Sequence, residues 1–551
     1  MEPDKRKVAI LSNITIDLLI AKLRSKYDFY QPEGYDTWVQ EVINPISGLY
    51  GFRADVIIVL LDGMEARKWK NETEAAERIS VWKQAIDGLI CNFAKIPIFI
   101  STIDFLENRI KSLSERRFKY KLQSDWYEFI QGKAESNKNV YIFDISDVIS
   151  DVGRNQFYSN KMWYLSSMPY SREGLAVLSQ WINRILNAVF TPRKKIIALD
   201  LDNTLWGGVV GEDGVDGIEL SDHKEGQRFY DFQRQLLEMK KRGVVLGIVS
   251  KNNQEDAEAA IQTHPSMLLR DEAFVNKKIN WDNKVTNLKM MENELNLTEG
   301  SFVFIDDNPV ERESVKGECS EIYVPDFPTD TTELLPFAEN IWFDCCLPLR
   351  VLGDDLKKTQ MYQSDAKRKE EMRTSLNIDD YIRKLGMVVD IHRMRNTELE
   401  RVVQLINKTN QFNLTTKRYT QAEIEEISLS SENAIYVVYN SDKYGDNGLI
   451  SVVILKEKGD EVVIDSFLMS CRVMGRKCED VIINELASRR LGKTLVGEYI
   501  PTAKNAPVKD LFDRLGFTNV SNENGHKKYE LKNYQKRRFD IYKEIRFGDE
   551  D

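Results

Sequence analysis

Two aspartates spaced one residue apart, Asp200 and Asp202, close the apolar run of IIALDLDNTLW. A strand of this kind delivers both at its carboxyl end, where α/β folds place ligands. Residues two apart share a face of a strand, and once the chain leaves the strand the second carboxylate can swing over the first. The pair can then divide its labour, Asp200 as a nucleophile forming an aspartyl-phosphate and Asp202 as acid and then base. D-x-D alone is common in surface turns, but three further elements follow it in order. VVLGIVSKNN is an apolar strand ending in Ser250, whose hydroxyl and backbone N–H can hold a phosphate oxygen, with Lys251 beside it. NWDNKVTNLKMM sets Lys284 at the head of a helix, a cation suited to phosphoryl charge. SFVFIDDNPVER is an apolar strand ending in Asp306 and Asp307, followed by Asn308. Ser250, Lys251, Lys284 and Asn308 are therefore the candidate phosphate-binding residues. Asp200, Asp202, Asp306 and Asp307 are the candidate ligands of Mg²⁺, which prefers hard oxygen donors and retains waters.

Spacing limits what covers such a site. Ser250 follows Asp200 by 50 residues and Lys284 follows Ser250 by 34. After the intervening strands and helices, neither interval holds a large cap domain. The site is expected to be open, able to admit a bulky or protein-borne substrate, with a small glycine-rich flap at LWGGVVGEDG.

The elements that must position these residues form an α/β chain of several domains. KVAIL, ADVIIVLL, PIFIST and NVYIFDI read as strands alternating with amphipathic helices, a doubly wound pattern. It closes with the helix GLAVLSQWINRILNAVF and a short polar joint, TPRKK. The second α/β segment runs from IIALDLD to EIYVP. The charged stretch DDLKKTQMYQSDAKRKEEMRTSL reads as an exposed bridging helix. The last segment opens with MVVDIHRM and a helix, then turns strand-rich. The expected boundaries are 1–192, 193–345, a helical linker over 346–375, 376–536 and a charged tail over 537–551.

Composition excludes several classes. The net charge of −10 with scattered Lys and Arg argues against a nucleic-acid partner, which needs a clustered basic face. No secretory leader or run of about 18 uncharged apolar residues is evident, so a cytoplasmic protein without membrane insertion is expected. The six cysteines form no C-x-x-C pair, which disfavours a zinc site or a disulfide framework.

The stretches LDLDNTLWGGVVGEDG, VSKNN, INWDNK and FVFIDDNPVER resemble the haloacid dehalogenase superfamily, subclass IIIC, in its FkbH-like branch. RVVQLINKTNQFNLTTKRYT and LMSCRVMGRKCED, far outside the catalytic segment, are similar to the same branch. The resemblance implies three domains: an SGNH-like doubly wound α/β domain, a capless Rossmann-like catalytic domain, and a GNAT-like α+β domain. It implies Asp200 as nucleophile, Asp202 as acid/base, Ser250 and Lys284 as phosphate binders, Asp306 as a metal ligand, and Asp307 orienting the cluster or its water shell.

In the carboxyl-terminal segment, EVVIDSFLMS runs into RVMGRK and a helix whose N–H groups can hold a pyrophosphate or phosphopantetheine arm. The loop resembles the GNAT R-x-x-G-x-G/A signature at Arg472 and Gly475, with Arg476 as a further candidate arm-binding residue. Lys477 stands where a small residue is usual, which counts against ordinary acetyl-CoA use. Cys471, beside this loop, is the candidate acyl acceptor, and the alternative is a small residue packed under the loop. NKTNQFNLTT either lines a polar channel or forms a hydrogen-bonded loop. In the first domain Ser12 occupies the nucleophile position of SGNH hydrolases, but MPYSREGLAVLS lacks the Asp-x-x-His that would supply a base.

FkbH-like proteins take the three-carbon unit of 1,3-bisphosphoglycerate, remove phosphate and load a glyceryl-type group onto an acyl carrier protein. The resemblance thus implies Mg²⁺, a phosphorylated small-molecule substrate, and a carrier protein with its phosphopantetheine. The competing expectation is a stand-alone small-molecule phosphatase whose GNAT-like domain is not catalytic.

Overall fold

The computed structural model describes residues 5–115, 117–351, 353–470 and 473–548. The chain divides into two compact units, Met1–Lys194 with Ala338–Arg350, and Lys195–Phe337 with Val351–Asp551. The fold is mixed α/β, with two parallel sheets and one mixed sheet.

The first unit holds five parallel strands, β1 (Lys7–Ser12), β2 (Asp28–Tyr30), β3 (Val56–Leu60), β4 (Ile98–Ser101) and β5 (Val140–Phe143), in the order β2-β1-β3-β4-β5. Val56 to Leu60 are all fully buried, as expected of a parallel strand covered on both faces. Ser12 Oγ donates to the Leu60 carbonyl at 2.7 Å. None of the chain's four histidines falls in this unit, so Ser12 has no imidazole of its own unit to activate it.

Residues 338–350 belong to this unit, not to the catalytic segment and linker in which they were expected. The reason is a buried arginine. Arg184 donates to Asp344 Oδ1 at 2.7 Å and to Asn340 Oδ1 at 2.6 Å, and Trp181 packs on Phe343.

The second unit contains two sheets. Strands β6 (Ile196–Leu199), β7 (Val245–Ser250), β8 (Phe274–Ile279) and β9 (Phe302–Ile305) are parallel in the order β8-β7-β6-β9. All of β6, β7 and β9 is buried. Gly247 lets the sheet receive Met291, since a Cβ there would stand 2.9 Å from its sulfur.

The mixed sheet has eight strands: β10 (Val388–Arg393), β11 (Asn433–Asp442), β12 (Gly445–Lys458), β13 (Glu461–Met469), β14 (Thr494–Tyr499), β15 (Thr518–Glu523), β16 (His526–Leu531) and β17 (Glu544–Gly548). Their order is β15-β16-β14-β13-β12-β11-β10-β17. Strand β17 pairs in parallel with β10, Val388 opposite Glu544 and Ile391 opposite Phe547. Residues 544–548 are thus an edge strand rather than part of a charged tail. Alternating apolar Ile545 and Phe547 pack on the core between the charged Glu544 and Arg546.

The helix Lys358–Arg373 corrects another expectation. It is not an exposed bridge: Arg368 is 3% exposed, donates to both Asp442 oxygens at 2.7 and 2.9 Å, and pairs with Asp365. On the other side, Gln363 donates to the Phe274 carbonyl at 3.0 Å and Tyr362 packs on the core of the four-stranded sheet. The expected second and third domains are therefore clamped into one unit. Among the described residues no helix is long and apolar enough to cross a membrane.

Candidate active site

Pairing of β6 with β9 brings the acidic residues together. Leu199 lies opposite Ile305, and the Asp200 N–H continues the ladder by donating to the Ile305 carbonyl at 2.9 Å. Asp200 and Asp306 therefore leave adjacent strand tips. Oxygens of Asp200, Asp306 and Asp307 lie within 4.8 Å of one another. Lys284 spans two of them, its Nζ 2.8 Å from Asp200 Oδ2 and 2.5 Å from Asp306 Oδ2. It is placed there by the helix Lys284–Leu295, whose preceding Asn283 side chain caps the helix by accepting from the Val285 N–H.

Electrostatics mark this cluster as short of positive charge. Burial, and then the Asp200 charge, push Asp306 and Asp307 above the ordinary carboxylate range, against the opposing pull of Lys284. Burial opposes the charge of Lys284, but Asp200 and Asp306 outweigh it and hold the ammonium above its usual value. Three clustered carboxylates fit a hard divalent cation such as Mg²⁺ in both donor type and charge.

Asp202 does not join them. Among the described residues the three-carboxylate group contains Asp200, Asp306 and Asp307, so the expectation of Asp202 as a side-chain metal ligand is corrected. Its oxygens are already engaged. Oδ1 accepts from Trp206 Nε1 at 2.9 Å and the Val210 N–H at 3.1 Å, and Oδ2 accepts from Asn252 Nδ2 at 2.8 Å. Burial raises its pKa in spite of these donors. A half-buried carboxyl held in place and inclined to keep its proton suits an acid/base.

These groups line a pocket of about 180 Å³. Ser250 ends β7 and is 2% exposed; Asn308 caps the helix Pro309–Glu318. Both line the pocket with Lys251 and Lys284, so all four expected phosphate binders meet there. Two further lining residues were not foreseen. Asn203 adopts φ 54° and accepts from the Gly208 N–H at 3.0 Å, anchoring the glycine-rich flap. Glu311 holds Lys251 at 2.6 Å across the pocket. Its only signal in sequence was its place one helical turn from Asn308.

The carboxyl-terminal loop is arranged differently. Cys471 and Arg472, the expected acyl acceptor and arm-binding residue, lie outside the described residues. Gly475 takes φ +77° in the turn. Arg476, expected at a phosphopantetheine arm, is 7% exposed and sits 3.7 Å from the buried Asp442. Its guanidinium is thus withdrawn from the surface and paired by charge with a carboxylate. Lys477 pairs with Asp379 at 2.6 Å, and the first turn of the helix Cys478–Ser488 carries Glu479 and Asp480, charges that oppose an anion at that end.

The sheet gap above this loop is also filled. Strand β13 pairs with β14 only over Glu461–Ile464, and the two then separate. Phe412–Leu414 enters between them. Met469 N–H donates to the Phe412 carbonyl at 3.0 Å, Leu414 N–H to Phe467 at 3.3 Å, and Ile500 N–H to Leu414 at 2.9 Å. Asn505 Nδ2 ties the insert down through the Asn413 and Ile500 carbonyls at 3.0 and 2.9 Å. Of the two readings of NKTNQFNLTT, the hydrogen-bonded one describes this segment.

No family model matches the chain, and no curated protein does. Among solved structures, the N-terminal part of the protein BF1531 from Bacteroides fragilis, containing a phosphatase domain and complexed with Mg, is similar. It is 25% identical over 63% of this chain and 95% of that one, with a TM-score of 0.56. The ribosomal-protein-S18-alanine N-acetyltransferase from Escherichia coli matches 27% of this chain and 99% of its own at 11% identity and a TM-score of 0.21. The GNAT domain of S. lividans PAT matches 26% and 88% at 16% identity and 0.22.

Proposed function

We propose that this chain is a Mg²⁺-dependent phosphoryl-processing enzyme of the haloacid dehalogenase type, with Asp200 as nucleophile. The observation that carries the reading is the meeting of Asp200, Asp306 and Asp307 under Lys284, beside a separately held Asp202. The similar Mg-complexed phosphatase domain supports it. Bound at these carboxylates, Mg²⁺ would supply positive charge against the phosphoryl oxygens.

The residues of the chain divide the remaining work. Ser250, Lys251, Lys284 and Asn308 bind and orient the phosphoryl group. An Asp200 oxygen forms a bond to phosphorus as the bond to the leaving oxygen breaks, and Asp202 delivers its proton to that oxygen. Water then attacks the aspartyl-phosphate phosphorus, Asp202 takes the proton, and inorganic phosphate departs with Asp200 regenerated.

For the substrate, the sequence resemblance supports a phosphorylated three-carbon acyl donor of the 1,3-bisphosphoglycerate type and transfer of its glyceryl-type unit to an acyl carrier protein. The test is incubation of the full chain with Mg²⁺, 1,3-bisphosphoglycerate and a candidate holo carrier protein, read by intact mass. A carrier heavier by a glyceryl or phosphoglyceryl group supports transfer. Free phosphate with an unchanged carrier favours the second reading, a phosphatase with a non-catalytic carboxyl-terminal domain. The filled gap at Phe412–Leu414 and the buried Arg476 favour that second reading.

A further inference from the structure

Trp281 is 70% exposed, although a tryptophan ring gains more than any other side chain from leaving water. It stands in the loop between β8 and the helix that starts at Lys284, three residues before that lysine. Its indole is held fixed: Nε1 donates to Asn253 Oδ1 at 3.1 Å, and Asn253 is tied to Asp256 at 3.2 Å. The neighbouring Asn280 N–H donates to the Ser250 carbonyl at 3.2 Å. The ring is thus bonded to the loop that follows Ser250 and Lys251, and the backbone beside it is bonded to Ser250 itself, with the indole N–H satisfied and most of the ring exposed. On the Asn308 side, Val310 is 73% exposed in the first turn of its helix. Two exposed apolar side chains thus stand within three residues of Lys284 and Asn308, which line the charged pocket.

From this we propose that Trp281 is a specificity-determining residue. Its indole face binds the organic part of the phosphorylated substrate, and it selects phosphate esters or acyl phosphates that present a flat or apolar face next to the phosphate. The proposal rests on the Asp200 phosphoryl site and on the second, phosphatase reading, because a phosphorylated glyceryl donor presents neither a flat nor an apolar face. A rigid, pre-placed aromatic costs little entropy when a ligand lies against it, so its contribution falls on binding and not on the chemical step.

The test uses the full chain with Mg²⁺ and compares p-nitrophenyl phosphate, which is flat, with acetyl phosphate, which is small. Trp281→Ala should raise KM for p-nitrophenyl phosphate about tenfold with kcat within about twofold, and should move acetyl phosphate less than about twofold. Trp281→Phe should restore most of the loss. Equal losses on both substrates would indicate a merely structural loop and overturn the proposal, as would no change on either. If the wild-type chain hydrolyses neither compound, the phosphatase reading fails instead. Trp281 is then judged by binding. Saturable quenching of tryptophan fluorescence by p-nitrophenyl phosphate, lost in Trp281→Phe, supports the proposal, and quenching identical in the two proteins overturns it.

Discussion

The second unit has two places where strands end or part, and it treats them in opposite ways. At the tips of β6, β7 and β9 it gathers Asp200, Asp202, Asp307 and Glu311 around a pocket whose lining cations, among the described residues, are Lys251 and Lys284. Between β13 and β14 the chain's own backbone fills the gap. Backbone groups of Phe467, Met469 and Ile500 at the diverging strands are bonded by Phe412–Leu414, and Asn505 bonds the Asn413 and Ile500 carbonyls. Buried polar groups that lack partners cost free energy, so a fold leaves charge uncompensated only where something else supplies the compensation. By that criterion the first place is built for a ligand and the second is built for itself.

The comparison breaks most sharply at Asp200. Asp200→Asn keeps the size and the Ile305 backbone bond but removes the nucleophile, and phosphatase turnover should fall by roughly four orders of magnitude. Residual turnover near the wild-type rate would show that the carboxylate cluster does no chemistry. Lys284→Ala comes next. It should lower kcat about 10²- to 10³-fold, because an oriented cation aimed at developing charge in a buried site is lost. It also removes the cation that competes with a metal for Asp200 and Asp306, so the variant should need less Mg²⁺ for half-maximal activity. An unchanged Mg²⁺ requirement would remove the argument that Lys284 neutralises this pair.

Proton and metal compete for the same oxygens. Asp306 and Asp307 have folded pKa values raised above their ordinary range. A raised carboxylate pKa means that the metal-free fold binds protons better than the unfolded chain. Its contribution is favourable at low pH and is lost as pH rises through the raised value. A divalent ion reverses the balance by replacing the proton. The apparent Mg²⁺ affinity should therefore fall as pH drops from 8 to 5, by up to about tenfold per unit for each proton displaced. Thermal stabilisation by added Mg²⁺ should correspondingly be larger at pH 7.5 than at pH 5.5. The reverse trend in a melting series would count against these carboxylates as ligands.

How much of this could be read from the sequence differed between the two places for a physical reason. The strand tips of the pocket announce themselves because parallel strands are continuous apolar runs, and a charged residue at the end of one has no other place to be. Asp200, Ser250 and Asp306 were legible on that ground, and Lys284 by its place at the head of a helix. The partners of Asp202 were not, because Trp206 and Asn252 lie in loops whose path no periodicity fixes. The amide-rich segment around Phe412 carried signals for a channel and for a bonded loop at once. Only the separation of β13 from β14 decides between them, and that is a long-range feature. The helix Lys358–Arg373 misled for a related reason: its charges suggest solvent, but Arg368 finds its partner, Asp442, 74 residues away.

The smallest expected effect lies in the filled gap, and it gives the comparison its finest test. Asn505 is fully buried, donates twice through Nδ2, and accepts from the Thr502 N–H at 2.8 Å. Asn505→Ala removes those bonds and leaves carbonyls without a donor, at a cost of about 2–3 kcal/mol, read as a lower melting temperature. Hydrolysis at Asp200 should stay within about twofold, since among the described residues the insert's bonds outside its own loop run to β13, Ile500 and Asn505 and not to the pocket lining. Coenzyme A and free pantetheine should give no saturable heat with the wild-type chain in titration calorimetry, and the amides of Leu414, Met469 and Ile500 should exchange as slowly with them as without. A filled gap must open before an extended arm can pair with β13, so the three amides would lose protection together on binding. If coenzyme A binds and those amides begin to exchange, the insert is a displaceable occupant, and the contrast between the open site and the closed one no longer holds.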